Sequence, residues 1–176
     1  MSDRKALFFC SSYYGIDPKY NQAARDTVRA ACLAGYDIVS GGTVKGTMAD
    51  VVEEAHRCGA RSYGILPRFM TGLEHPLLDS VQWVDSMSER KEKMREGTSV
   101  AIALPGGIGT LDELAETYCL SKMNLYAGKV IAYNLDGFYD SLKKLLDHYV
   151  ETGMLDTDSR KKIYFPTTVQ ELEKLL

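Results

Sequence analysis

Cysteine is scarce in this chain, and its pattern is that of unpaired residues. Cys10, Cys32, Cys58 and Cys119 are scattered with no C-x-x-C among them. That spacing speaks against a disulfide framework or a cysteine zinc site, and buried free thiols are the expected state. Histidine is scarcer still: His56, His75 and His148 lack the spacing of metal ligands, so no metal site is expected. Long apolar runs are missing too. None approaches the roughly 20 residues that span a bilayer, so no membrane partner is expected. Positive charge is not in excess: 21 Lys and Arg face 24 Asp and Glu, for a formal charge of −3. A chain so balanced lacks the basic footprint of a general nucleic-acid binder. Met1-Ser2-Asp3-Arg4-Lys5 leads straight into an apolar strand without the features of a secretory signal, and the expected compartment is the cytoplasm. No repeat, linker or low-complexity tract interrupts the 176 residues, which read as one domain spanning 1–176.

What the chain does have is alternation. Strand-like runs lie at residues 6–10, 37–40, 62–66, 81–84, 99–104, 130–134 and 163–165. Amphipathic stretches at 18–34, 48–58, 88–96, 111–126 and 138–152 separate most of them. Such a pattern implies right-handed βαβ crossovers and a sheet covered on both faces. The expected fold is therefore a doubly wound, Rossmann-like α/β domain with a mainly parallel sheet of about seven strands. Ligands of such sheets bind beyond the carboxyl ends of the strands, so the turns found there are the places to look. Two of them are rich in glycine, the one at 40–48 and the one that opens at Pro105.

The run from Ala101 to Glu113 is the most informative. An apolar strand ends in Pro105-Gly106-Gly107-Ile108-Gly109, and a helix then opens with Thr110 and acidic residues. Glycines let the backbone approach a ligand closely, and a helix N-terminus presents free N–H groups with a favourable dipole to an anion such as phosphate. Thr110-x-x-Glu113 equally fits a capping box, in which both side chains serve the helix end. The turn lacks the lysine of a nucleoside-triphosphate P-loop, and it follows a late strand, unlike a dinucleotide fingerprint. Upstream, Glu89-Arg90-Lys91-Glu92-Lys93 reads by itself as a solvated helix face with a Glu89–Lys93 pair. Lys45 reads either as a phosphate contact or as a solvated loop lysine.

Pro105-Gly106-Gly107-Ile108-Gly109-Thr110-Leu111-Asp112-Glu113 resembles the PGGxGTxxE signature of the LOG (Lonely Guy) family. Met87-Ser88-Glu89-Arg90-Lys91-Glu92-Lys93-Met94 is similar to that family's M-x-x-R-K-x-x-M motif, Phe9-Cys10-Ser11-Ser12 to its F-C-G-S-S opening, and Asn134-Leu135-Asp136-Gly137-Phe138-Tyr139 to its N-x-D-G-Y-Y segment. The likeness covers nearly the whole chain, with the motifs in family order. Departures gather in the second glycine turn, at Ser40, Lys45 and Ala49. The resemblance implies a phosphoribohydrolase that cleaves the N-glycosidic bond of AMP-like or N6-modified adenosine 5′-monophosphates. It implies Arg90 and Glu113 as the catalytic pair, with Lys91 and the turn Gly106, Gly107, Ile108, Gly109, Thr110, Leu111 and Asp112 holding the nucleotide. Glu74, Ser12, Gly42 and Met87 are further candidates for binding it. No cofactor or metal is expected, and a homodimer is, with the site near the subunit boundary. The alternative is a non-catalytic carrier of a nucleotide or of molybdenum cofactor on the same fold. The family's older label, lysine decarboxylase, implies a pyridoxal-phosphate lysine with its supporting residues, and none is recognisable here.

Overall fold

A strand buried on both faces organises the molecule. Lys5–Phe9 (β1) reads Lys-Ala-Leu-Phe-Phe, and its last four residues are sealed from solvent. The computed structural model describes residues 4–176; residues 1–3, part of the segment read above for a leader, lie outside the described residues. Around β1 stand Asp37–Ser40 (β2), Ser62–Pro67 (β3), Ser80–Val84 (β4), Thr98–Ala103 (β5), Lys129–Ala132 (β6) and Ile163–Tyr164 (β7). They form one sheet in the order β4-β3-β2-β1-β5-β6-β7, with every neighbouring pair parallel. The helices are Pro18–Leu33 (α1), Thr47–Arg57 (α2), Met87–Arg95 (α3), Ile108–Lys122 (α4), Asp140–Glu151 (α5), Thr157–Arg160 (α6) and Val169–Glu173 (α7).

Because side chains alternate along a strand, β1 feeds two separate cores. Ala6 and Phe8 pack with Ala24, Val28 and Ala31 of α1, Val51 and Ala55 of α2 and Leu172 of α7. Leu7 and Phe9 pack on the other face with Met94 of α3, Leu114 and Tyr118 of α4 and Leu146 of α5. This is the doubly wound sheet that the alternation implied. The helices α6 and α7 are additions, too short at four and five residues to show a helical period in the sequence. Among the cysteines only Cys10 is buried; Cys58 and Cys119 are exposed and Cys32 lies between, all four free. The expectation of buried thiols thus fails for Cys58, which follows α2 at its surface end, and for Cys119, on the outer side of α4. No helix of the described residues is long and apolar enough to cross a membrane.

The chain runs outward from β1 through β2 and β3 to β4, then returns to lay β5 against the opposite side of β1. That reversal opens a crevice beyond the carboxyl ends of β1 and β5. Two glycines draw the second turn into it. Gly42 has φ +71°, and a Cβ there would lie 2.6 Å from the Cα of Gly64. Gly46 has φ +56°, and a Cβ there would lie 2.6 Å from the carbonyl oxygen of Ser11. A side chain at either place would meet backbone, so only glycine lets the turn at 40–48 press against β3 at position 42 and against the first turn at position 46.

Candidate active site

Helix α4 begins at Ile108, three residues before the start read from the sequence at 111. Its N-cap is Gly107, and no side chain caps it. Thr110 is not a cap at all: it is buried and its hydroxyl donates to the carbonyl of Cys10 at 3.1 Å, tying α4 to the end of β1. The capping-box reading of Thr110 and Glu113 is therefore overturned. A close variant of the device exists at α3, where Glu89 N–H donates to Ser86 Oγ (3.1 Å) and Glu89 Oε2 accepts from the N–H of Asp85, one residue before the cap (2.8 Å). Asp17, Asp156 and Thr168 similarly cap α1, α6 and α7. By contrast α2 and α4, whose first turns meet at the crevice, start at Gly46 and Gly107 with bare backbone. The amides of Ile108, Gly109 and Thr110 precede α4's first internal bond, from Leu111 N–H to Gly107 O. They are what an anion would find there.

These elements enclose a cleft of about 250 Å³. Its polar lining comes from Ser11 and Ser12 of the first turn, Thr43 and Lys45 of the second, and Gly107, Ile108, Gly109 and Thr110 at the start of α4. Met48, Met70 and Leu73 supply an apolar wall, with Cys10 and Tyr13 beside it. Arg90 and Glu113 lie in the same lining. A wider depression of about 780 Å³ between the far ends of α3 and α4 contains none of the candidate catalytic or nucleotide-binding residues.

Arg90 is only 5% exposed, so the solvated-face reading of its segment fails at this residue, and Lys93 pairs with Glu96 (3.0 Å) rather than with Glu89. The Arg90 Nε donates to the carbonyl of Ile65 in β3 at 2.8 Å, and Nη1 lies 3.6 Å from Glu113 Oε1. Gly41 makes room, since a Cβ there would overlap the guanidinium. Glu113 is 9% exposed. Burial pushes its carboxyl up to about 7, against the pull of Arg90 and Lys91, while Asp112 pushes with it. A carboxyl that gains and loses its proton near neutrality, fixed beside a permanent cation, is equipped for acid–base work or for stabilising positive charge. Burial, with Glu113 adding to it, also drives the Cys10 thiol far up, so it stays protonated and is no thiolate nucleophile.

The structure does not gather every candidate. Lys91 turns outward, with its Nζ 2.9 Å from Asp112 Oδ2 and paired also with Glu116, which in turn holds Arg95 at 2.8 Å. Lys91 and Asp112 thus link α3 to α4 outside the cleft. Met87 opens α3 in the solvent, and Glu74 accepts from the Gly72 N–H at 2.7 Å, both outside the lining. Gly42, Gly106 and Leu111 shape the surroundings without lining the cleft: a Cβ on Gly106 would overlap Thr110, and Leu111 faces α5. Ser12, Gly107, Ile108, Gly109 and Thr110 do line it. Sequence reasoning missed Thr43, Met48, Met70 and Leu73, whose only signal is their position in or near turns that follow strands. Among the described residues no cluster of three or more His, Cys, Asp or Glu is placed to hold a metal ion.

The strand order places the chain among the doubly wound α/β proteins, and its cleft lies where that order reverses. Comparison with known proteins narrows that class. The model of the family described as possible lysine decarboxylase matches residues 48–176. Cytokinin riboside 5'-monophosphate phosphoribohydrolase LOG4 of Arabidopsis thaliana is 34% identical over 170 residues, covering 96% of this chain and 79% of the plant protein. LOG3 of the same plant, named for the same activity, is 33% identical over 175 residues, 98% of this chain and 81% of its own. The chain belongs to this family, the LOG family, as its motifs implied. Among solved structures, the molybdenum cofactor carrier protein of Chlamydomonas reinhardtii superposes with a TM-score of 0.74 at 14% identity, covering 97% of this chain and 94% of that one. The molybdenum cofactor binding protein of Rippkaea orientalis gives 0.72 at 21%, covering 98% and 94%. At such identities the likeness is one of fold.

Proposed function

We propose that the protein hydrolyses the N-glycosidic bond of AMP-like or N6-modified adenosine 5′-monophosphates, releasing free base and ribose 5-phosphate. The observation that carries this reading is the buried Glu113 carboxyl, poised at about 7 beside Arg90, in one cleft with the uncapped start of α4. In this reading the 5′-phosphate sits on the amides of Ile108, Gly109 and Thr110, which fixes the ribose and brings its anomeric carbon to Glu113. The bond to the base breaks with its electron pair leaving on the base, and the ribose becomes cation-like. Ionised Glu113 stabilises that cation and takes a proton from the water that attacks the anomeric carbon; the departing base takes up one proton from solvent, and Glu113 gives its own back to solvent before the next turnover. Met48, Met70 and Leu73 offer an apolar wall for the base and for an N6 substituent.

The purified protein incubated with AMP and with isopentenyl-AMP is expected to release free base, read by chromatography. Release from neither substrate by a folded sample would sink the assignment. Because Glu113 acts ionised, kcat/KM is expected to climb with pH and level off above about 7, where its carboxyl loses the proton. A falling profile over the same range would give Glu113 the opposite role, that of a proton donor. Relatives at 31–34% identity are named phosphoribohydrolases, whereas the likeness to the molybdenum cofactor proteins stops at fold, so hydrolysis is preferred over carriage.

The same reading includes a homodimer. The groove between α4 and α5, about 410 Å³, is lined almost wholly by apolar side chains, among them Leu111, Leu142, Leu145 and Tyr149. It adjoins the first turn of α4, so a second copy seated there would wall the cleft. Leu145, 44% exposed, is the side chain to change: Leu145→Glu is expected to convert a dimer to a monomer in sedimentation experiments. A wild-type protein that sediments as a monomer would remove this element. A cytoplasmic setting accords with four free cysteines, two of them exposed.

A further inference from the structure

A phosphate monoester brings a charge of about −1.5 to −2 into the cleft, and backbone amides alone do not neutralise it. The cation that the sequence offers for this task, Lys91, is committed to Asp112 and Glu116 outside the lining. Arg90 is shared already, with Nε on the carbonyl of Ile65 and Nη1 beside Glu113. One other cationic side chain lines the cleft, Lys45, and it enters no ion pair among the described residues. Its backbone is pinned. Lys45 N–H donates to Thr43 Oγ1 (3.4 Å), Val44 N–H to the Leu73 carbonyl (2.9 Å), and the next residue is Gly46, pressed on the first turn. That first turn also carries Tyr13, whose ring lies 3.1 Å from where a Cβ on Gly107 would sit. The Lys45 turn and the open end of α4 therefore flank the same few residues.

We infer that Lys45 is the phosphate-recognising cation of this cleft, and that it lets the enzyme distinguish nucleoside monophosphates from unphosphorylated nucleosides. The inference rests on the proposed reading in one respect, that the phosphate sits at the start of α4. It goes beyond that reading because it transfers the cationic role from Lys91 to a residue in the turn where this chain departs from the family pattern.

The test titrates ribose 5-phosphate into wild type, Lys45→Met and Lys45→Arg by calorimetry, and sets AMP beside adenosine in the hydrolysis assay. Lys45→Met is expected to weaken ribose 5-phosphate about tenfold to thirtyfold, the usual effect of losing one charge-assisted hydrogen bond, while Lys45→Arg stays within about threefold of wild type. kcat/KM for AMP should fall in parallel, and the preference for AMP over adenosine should shrink by the same factor. Unchanged ribose 5-phosphate affinity in Lys45→Met overturns the inference, as does an equal loss towards AMP and adenosine. The two readings fail separately. A wild type that releases no base but binds ribose 5-phosphate through Lys45 loses the hydrolase assignment and keeps this one. A Lys45→Met variant that cleaves AMP as well as wild type does keeps the hydrolase and loses this one.

Discussion

Replacing Glu113 with glutamine is expected to abolish turnover and, near pH 8, to make the protein more stable. The two effects share one cause. A carboxyl that is 9% exposed and ionises only at about 7 pays a burial penalty whenever it is charged. In the unfolded chain the same group ionises at its ordinary value of 4.5. Between those values the unfolded state binds fewer protons than the folded one, so stability falls as pH rises through the interval and stays low above it. At about 1.4 kcal/mol per pH unit, the penalty reaches about 3 kcal/mol in the alkaline plateau. Glutamine carries no charge at any pH and escapes it. Urea melts should therefore show Glu113→Gln ahead of wild type by up to about 3 kcal/mol at pH 8 and level with it at pH 4, where both side chains are neutral. Activity should move the other way, by about 10³-fold or more in kcat, since the amide can neither stabilise a cationic ribose nor take a proton from water. Nucleotide binding should survive, because the substitution leaves untouched the amides proposed to hold the phosphate. A variant that is no more stable at pH 8, or that still turns over, would show that this carboxyl is not held under strain for chemistry.

How much of this could be read from the chain depends on the length over which each signal runs. The strand before Pro105 is legible because a parallel strand buried on both faces must be apolar throughout, and Ala101-Ile102-Ala103-Leu104 is. The start of α4 is misread because Thr110-x-x-Glu113 imitates a capping box, while the glycine-flanked Ile108 looks like loop. What decides the matter is tertiary: the hydroxyl of Thr110 finds the carbonyl of Cys10, a hundred residues away. Arg90 and Lys91 show the same limit more sharply. Neighbours on a helix point about 100° apart, so one can face the cleft and the other cannot. Their order in the sequence does not say which. The Ile65 carbonyl within β3 does, by accepting from Arg90 and fixing it inward, while Asp112 and Glu116 draw Lys91 outward. The apolar wall was illegible because Met48, Met70 and Leu73 arrive from separate segments with no shared period.

Arg90→Met is expected to be nearly as damaging as Glu113→Gln, and its pH dependence shows why the two residues form a unit. Removing the guanidinium deletes the largest influence holding the Glu113 carboxyl down, so its ionisation moves above about 7. At pH 7 the side chain would then be mostly protonated, and kcat/KM should fall about 10²- to 10³-fold, with part of the loss recovered at pH 9. Stability should fall as well. The Ile65 carbonyl loses its donor, worth about 1–3 kcal/mol when left buried and unpaired, and at high pH the unpaired carboxylate adds to the deficit. The destabilisation should accordingly be smaller at pH 5 than at pH 8. Arg90→Lys should rescue little, because one ammonium cannot both donate to Ile65 and stand beside Glu113 as a planar fork does. The double variant Arg90→Met/Glu113→Gln separates coupling from coincidence. With no carboxylate left to strand, it should be more stable at pH 8 than Arg90→Met alone and no less active than Glu113→Gln alone. Losses that simply add would mean that Arg90 serves the scaffold and Glu113 the chemistry independently, and the pairing at 3.6 Å would lose its role in tuning the carboxyl.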